Sequence, residues 1–184
     1  MKLRSPNSVM VRDYHALPDD LCDALIKLFE HDVKNHERVE NDSKPCFTQL
    51  NLNRHHAKII PTLYQYFTEA LDLYRKEVSA TKYLPKANFM EEFRIKRYEV
   101  GGVDRFDEHI DVSDFESARR YLAALFYLND VEEGGHTVFP FQDRTVHPKK
   151  GHVIFFPPTW EYPHAGEPPV SNSKYIMSTY LHYG

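Results

Sequence analysis

The chain has 184 residues, 41% of them hydrophobic and 27% charged, with a formal net charge of −4. That length is enough for one packed core, and the slight acidity excludes the basic stripe of an electrostatic nucleic-acid binder. No apolar run reaches membrane-spanning length, and the opening MKLRSPNSVM lacks the apolar centre of a signal peptide, so a soluble, cytoplasmic setting is expected.

Pro18 and Asp19 open the first helical pattern, with Leu21, Leu25, Leu28 and Phe29 at helical spacing. Cys22 falls inside it, where a helix would bury it as a free thiol. The stretch from Asn41 to Asn53 is polar at its ends and is read as carrying a strand around Cys46 to Leu52. Cys22 and Cys46 form no CxxC and no zinc spacing with the histidines, so neither is given a role. A second helical pattern runs from about His56 to Ser79. Ile59, Leu63, Tyr66, Phe67, Ala70, Leu71, Tyr74 and Val78 form its apolar stripe, and Pro61 suits its first turn. Both stripes predict scaffold helices packed on a sheet. The adjacent His55 and His56 point apart on either helix or strand and are not read as a metal pair.

From Phe89 onward the texture changes to short strands and turns. Phe93 and Ile95 alternate with polar residues into the Gly101-Gly102 turn. Tyr121 to Asp130 is almost continuously apolar and predicts a central, buried strand. Glu132 to Pro140 is a Gly-Gly turn into a short strand, Lys149 to Pro158 is another buried strand, and Lys174 to Tyr183 is the last. Such spacing predicts a β-sandwich or jelly roll. The fold class expected is mainly β with flanking helices (α+β), in one domain. Residues 1–88 form its helix-rich support and residues 89–184 its jelly-roll core.

The chemistry centres on His109, Asp111, His164 and Lys174. His109 and Asp111 are two apart on an extended segment, so both side chains leave one face while Ile110 points the other way. Two imidazoles and a carboxylate on adjacent corners of an octahedron hold non-haem Fe(II) and leave three positions open. A lysine just past the second histidine suits a site in which an anionic co-substrate fills one open edge. The same donors also suit catalytic zinc. A zinc hydrolase or a redox-inactive cupin-like binding protein is therefore the competing class, in which Lys174 has no evident duty.

The segments RYEVGG, HID, YLND, EEGGHTVFP, KKGHVIFFP and HAGEPPVSNSK span roughly Phe93 to Gly184. In order and spacing they resemble the Fe(II)- and 2-oxoglutarate-dependent dioxygenases, most closely the prolyl 4-hydroxylase-like branch. The resemblance implies a double-stranded β-helix, a cupin-like jelly roll. It implies that His109, Asp111 and His164 are the catalytic metal ligands and that Lys174 pairs with the distal carboxylate of 2-oxoglutarate. It also implies that Tyr98, Tyr127 and Thr137 line or bind the co-substrate, against the plainer reading of buried hydroxyls in a β-core. Fe(II) and 2-oxoglutarate follow as cofactor and co-substrate, with ascorbate a further candidate.

The reaction implied is hydroxylation of a C–H bond, first of a peptidyl proline, with release of succinate and CO2. A free amino acid or small metabolite is the alternative substrate. Partners are thus expected to be a peptide, a protein or a small molecule, with neither nucleic acid nor membrane. Phe106 stands where many prolyl 4-hydroxylases carry tyrosine, and Tyr180 where several carry tryptophan; both are expected near the substrate mouth. Gly101 to Glu108 and Asp143 to Pro148 are expected to select the substrate. His136 is expected near the co-substrate wall, and Trp160 either lids the site or packs on neighbouring prolines.

Overall fold

The computed structural model describes residues 10–41, 45–85 and 89–184. Its strands are β1 (Arg12–His15), β2 (Glu37–Glu40), β3 (Cys46–Asn51), β4 (Phe89–Met90), β5 (Arg94–Tyr98) and β6 (Phe106–His109). They continue with β7 (Arg120–Tyr127), β8 (Thr137–Phe139), β9 (Arg144–Val146), β10 (His152–Phe156), β11 (His164–Gly166) and β12 (Lys174–His182). The large sheet runs β1-β10-β7-β12-β5-β3-β2, with β4 added beside β12, and the small sheet runs β6-β11-β8-β9. All these pairings are antiparallel. The two sheets enclose a core and form a double-stranded β-helix, a jelly roll, with helices on the outer face of the large sheet.

Period-two alternation explains why β7 is so apolar. Leu122, Ala124 and Phe126 meet Leu25, Phe29, Leu63 and Phe67 of the helices. Ala123 and Tyr127 point the other way, toward Phe139, Phe156 and Ile176 between the sheets. Both faces are covered, so polar residues have no place there. The same alternation on β5 and β12 sends Ile95 and Met177 to the helices and Tyr98 and Ile176 to the interior of the roll.

Helix α1 (Asp19–His31) follows the expected stripe and buries Cys22, Leu25 and Phe29. The second helical pattern is divided. Asn51 caps a single turn, α2 (Leu52–His55), by accepting the Arg54 N–H at 3.1 Å. A 3-10 turn at Ala57–Ile59 then leads into α3 (Ile60–Glu77), which carries Pro61 in its first turn and buries Leu63, Phe67, Ala70, Leu71 and Tyr74. The helix therefore starts four residues after His56, because the Asn51 cap and the separate turn use up that stretch.

The first 88 residues also supply strands. β3 lies where a strand is expected, but β1 and β2 carry no apolar alternation to announce them. They join opposite edges of the large sheet, on β10 and β3 respectively, and are held by backbone pairing. Cys22 and Cys46 are both buried and form no disulfide, and Cys46 Sγ accepts a hydrogen bond from Arg38 at 2.9 Å. Among the described residues no helix is long and apolar enough to cross a membrane.

Candidate active site

His109 ends β6 and His164 begins β11, and the two are register partners, with an irregularity immediately after His164. Asp111 follows β6 on a short extended segment. Its backbone N–H and that of Val112 both donate to the Pro158 carbonyl at 3.1 Å, which fixes where its side chain enters. His109 Nδ1 lies 2.8 Å from the Asp107 carbonyl and His164 Nδ1 lies 3.1 Å from the Tyr162 carbonyl. Those contacts put the protons on Nδ1 and leave both Nε2 lone pairs free. The free nitrogens face Asp111, at 3.6 Å from Oδ1 for His109 and 3.5 Å from Oδ2 for His164. All three ligand atoms lie within 4.8 Å of one another.

Aromatic rings hold the imidazoles. Phe106 stacks on His109 with centroids 3.4 Å apart, and Phe156 meets His164 edge-on at 4.7 Å. The Tyr180 hydroxyl donates to Asp111 Oδ1 at 3.0 Å. Asp111 Oδ2 is buried with no hydrogen-bond partner among the described residues. An unpaired buried carboxylate oxygen is costly, and a cation between it and the two Nε2 atoms removes that cost. Burial opposes ionisation of Asp111, but His109, His164 and Lys96 together hold its carboxyl down at about 2. Burial lowers the pKa of His164, favouring the neutral ring that a metal requires. The donor set fits a divalent metal.

The wall opposite comes from the large sheet. Lys174 opens β12 and pairs across strands with Tyr98 on β5. It is 2% exposed. Its ammonium donates to the Gly135 carbonyl at 2.9 Å and sits 4.6 Å above the Tyr98 ring. That carbonyl is presented by the Gly134-Gly135 turn, where both residues have left-handed φ. At Gly134 a Cβ would come within 2.5 Å of the Pro168 carbonyl, so the turn requires glycine there. Desolvation pushes the Lys174 ammonium down to about 7, and the attraction of the Glu167 carboxylate offsets only part of that burial. A bound dianion would supply the missing charge.

Tyr98 and Thr137 line the pocket between these groups. Tyr127 is fully buried behind that wall and donates its hydroxyl to Thr137 Oγ1 at 2.7 Å. Of the two segments expected to select substrate, Gly101 to Glu108 contributes Phe106 to the pocket. Asp143 to Pro148 instead forms β9, the outer strand of the small sheet, and contributes no lining residue. Its Arg144 and Val146 are drawn into pairing with β8. His136 lies against Glu167 at 2.8 Å, outside the lining set, and Trp160 is 72% exposed rather than packed on its prolines. His56 meets Asp32 at 2.7 Å, so the His55-His56 pair does not converge on a metal.

Sequence reasoning placed Tyr180 near the mouth, which it lines, but did not give its bond to Asp111, and it missed Lys96, which lines the same pocket. Each lies an even number of residues from a residue already singled out, Lys174 and Tyr98 respectively. The period of two was the available signal.

The sequence profile of the 2OG-Fe(II) oxygenase superfamily matches residues 93–182. Residues 93–182 belong to that superfamily. Within it, the chain is 38% identical over 81 residues to probable prolyl 4-hydroxylase 9 of Arabidopsis thaliana, covering 41% of this chain and 27% of that protein. It is 32% identical over 108 residues to prolyl 4-hydroxylase subunit alpha-1 of Gallus gallus, covering 50% and 20%. The match thus spans 27% or less of these curated relatives. Two solved structures share the fold over nearly the whole chain. The viral collagen prolyl hydroxylase of Paramecium Bursaria Chlorella virus-1, as its 2OG complex, has a TM-score of 0.73 at 23% identity, covering 95% of this chain and 97% of the other. A Pseudomonas putida prolyl-4-hydroxylase has a TM-score of 0.70 at 19% identity, covering 95% and 93%.

Proposed function

We propose that this superfamily member is an Fe(II)- and 2-oxoglutarate-dependent hydroxylase. His109, Asp111 and His164 hold the metal, and Lys174 pairs with the distal carboxylate of 2-oxoglutarate. The observation that carries the reading is the buried Oδ2 of Asp111, which has no hydrogen-bond partner among the described residues, in a cluster where one ligand atom each of His109, Asp111 and His164 lie within 4.8 Å of one another. When bound, the metal supplies the dioxygen chemistry that couples decarboxylation of 2-oxoglutarate, giving succinate and CO2, to hydroxylation of a substrate C–H bond.

The chain's own residues bind and orient. Tyr180 holds one oxygen of Asp111 so that the other faces the site. Phe106 and Phe156 restrict the imidazoles, and Ala123 and Ile176 add apolar surface that limits water at the reacting end. Tyr98 and Thr137 offer hydroxyls beside Lys174, while Tyr127 acts on the co-substrate only through Thr137. The substrate we infer is a peptidyl proline, which the names of the curated relatives support. Ascorbate is the candidate reductant that keeps the metal ferrous. Two buried cysteines that form no disulfide suit a reducing, cytoplasmic compartment. Completion of the large sheet by β1, β2 and β3 supports a single catalytic domain over 1–184.

The test is succinate formation from 2-oxoglutarate with Fe(II) in air and no substrate, comparing the native chain with Asp111→Ala. Slow uncoupled turnover is expected in the native chain and none in the variant. Failure of the native chain to bind Fe(II) and 2-oxoglutarate anaerobically would return the site to the cupin-like metal-binding class. Stimulation by small molecules but not by proline-containing peptides would remove the prolyl assignment alone.

A further inference from the structure

Lys96 stands two residues before Tyr98 on β5, so its side chain leaves the same face and enters the same pocket. It is half-buried, with its ammonium 5.0 Å over the Phe47 ring. Among the described residues no carboxylate oxygen lies within 4.0 Å of that nitrogen, and nothing accepts a hydrogen bond from it. Neighbouring cations are matched. Glu91 accepts from Arg120 at 2.6 and 3.0 Å, and Glu92 pairs with Arg94. Burial pulls the Lys96 ammonium down only to about 8, so it stays mostly protonated at neutral pH.

Among the described residues, Asp111 attracts Lys96 from within the pocket and Glu91, already bound to Arg120, attracts it more weakly from outside; in the function proposed above the Asp111 charge belongs to the metal. Resting on that reading, the charges can be counted. The metal and Lys174 are balanced by Asp111 and doubly charged 2-oxoglutarate. Lys96 is left over. A surplus ammonium in a desolvated wall is unfavourable unless something anionic arrives. Beside it, Ser178 on β12 also lines the pocket, is 6% exposed, and has no partner for its hydroxyl among the described residues. Lys96 pairs with Ile176, which makes Ser178 its diagonal neighbour across the strands. An ammonium and a free hydroxyl thus share one patch of wall next to the metal ligands.

We propose that Lys96 and Ser178 recognise a carboxylate on the primary substrate, next to the C–H bond that is hydroxylated. The carboxylate belongs either to a free or N-acylated amino acid or to an acidic side chain adjoining the target residue in a peptide. Lys96 is then a specificity-determining residue, and the substrate class narrows to acids.

Two matched pairs of probes separate the sources. N-acetylproline is compared with N-acetylprolinamide, and acetyl-Pro-Glu-amide with acetyl-Pro-Gln-amide. Each is tested for stimulated succinate formation and for anaerobic binding to the chain loaded with Fe(II) and 2-oxoglutarate. In at least one pair the acid should exceed the amide by roughly 10- to 100-fold, the worth of one hydrogen bond to a charged group. The pair that responds names the source. Lys96→Gln should bring the acid-to-amide ratio to about 1, Lys96→Arg should restore part of it, and Ser178→Ala should lower it a few-fold. Because the readout is a ratio within one protein, a general loss of activity does not imitate it. Equal responses to acid and amide, or no response to either acid, overturn the carboxylate assignment. If substrate-free turnover persists in that case, the hydroxylase reading stands; if the native chain fails to bind 2-oxoglutarate, that reading itself falls.

Discussion

The small sheet carries two of the proposed metal ligands on short strands whose register breaks at the site, whereas the large sheet carries its ionic groups on β5 and β12, whose mutual register is unbroken. His109 and His164 pair immediately before the irregularity between β6 and β11, and Asp111 depends on backbone bonds to Pro158. β5 and β12, by contrast, pair regularly from Lys174–Tyr98 to Ser178–Arg94. Metal geometry is therefore tied to local backbone shape, and a change there moves all three donors. Charge on the large sheet is tied only to side-chain identity at alternate positions. Co-substrate and substrate preference can change there by single substitutions without disturbing the fold.

Lys174 is the severest test of that division. Lys174→Met should raise the KM for 2-oxoglutarate roughly 10- to 100-fold, since a charge-assisted bond is lost. Melting temperature should hold or rise, because a buried cation without a counter-charge disappears. In the native chain the same group predicts a pH dependence. Its burial-lowered pKa of about 7 means that the unliganded ammonium loses its proton as pH rises past neutrality. Binding a dianion requires that proton back. Affinity for 2-oxoglutarate should thus be insensitive to this group below pH 7 and fall about tenfold per pH unit above it. Proton uptake measured by calorimetry at pH 8 in two buffers of different ionisation enthalpy checks the sign. Constant affinity from pH 7 to 9 would refute it.

Tyr180 crosses the division, since it grows from the large sheet yet holds Asp111, the proposed ligand just after β6. Tyr180→Phe should weaken Fe(II) binding roughly 10-fold, in line with the loss of a partner that orients a metal ligand. Affinity for 2-oxoglutarate, measured at saturating metal, should change less than about twofold. A large co-substrate effect with unchanged metal affinity would contradict this placement.

Tyr127 supplies the smallest effect. Tyr127→Phe removes one buried hydrogen bond to Thr137, at a cost of about 1 kcal/mol, or a melting shift of roughly 2–4 °C for a chain of this size. The KM for 2-oxoglutarate should move less than about threefold. A change as large as that of Lys174→Met would mean that Tyr127 touches the co-substrate directly.

Elements whose faces are both buried, or whose apolar stripe is unbroken, were legible in the chain itself. β7, β10, β12, α1 and most of α3 fall where periodicity predicts them, because burial demands apolar residues at fixed intervals. The HxD pair, the later histidine and the lysine were legible for the same local reason: their chemistry needs those residue types and little else. β1 and β2 were not, since edge strands such as Glu37–Glu40 are defined by backbone pairing with a distant partner. β9 hid inside an expected loop for the same reason. Tertiary structure alone decided that Tyr180 meets Asp111 across 69 residues of chain, that Tyr127 stands behind Thr137, and that no carboxylate oxygen of the described residues comes within 4.0 Å of the Lys96 ammonium. Period and composition act within a few residues, but hydrogen-bond partners and charge balance belong to whatever folding brings together.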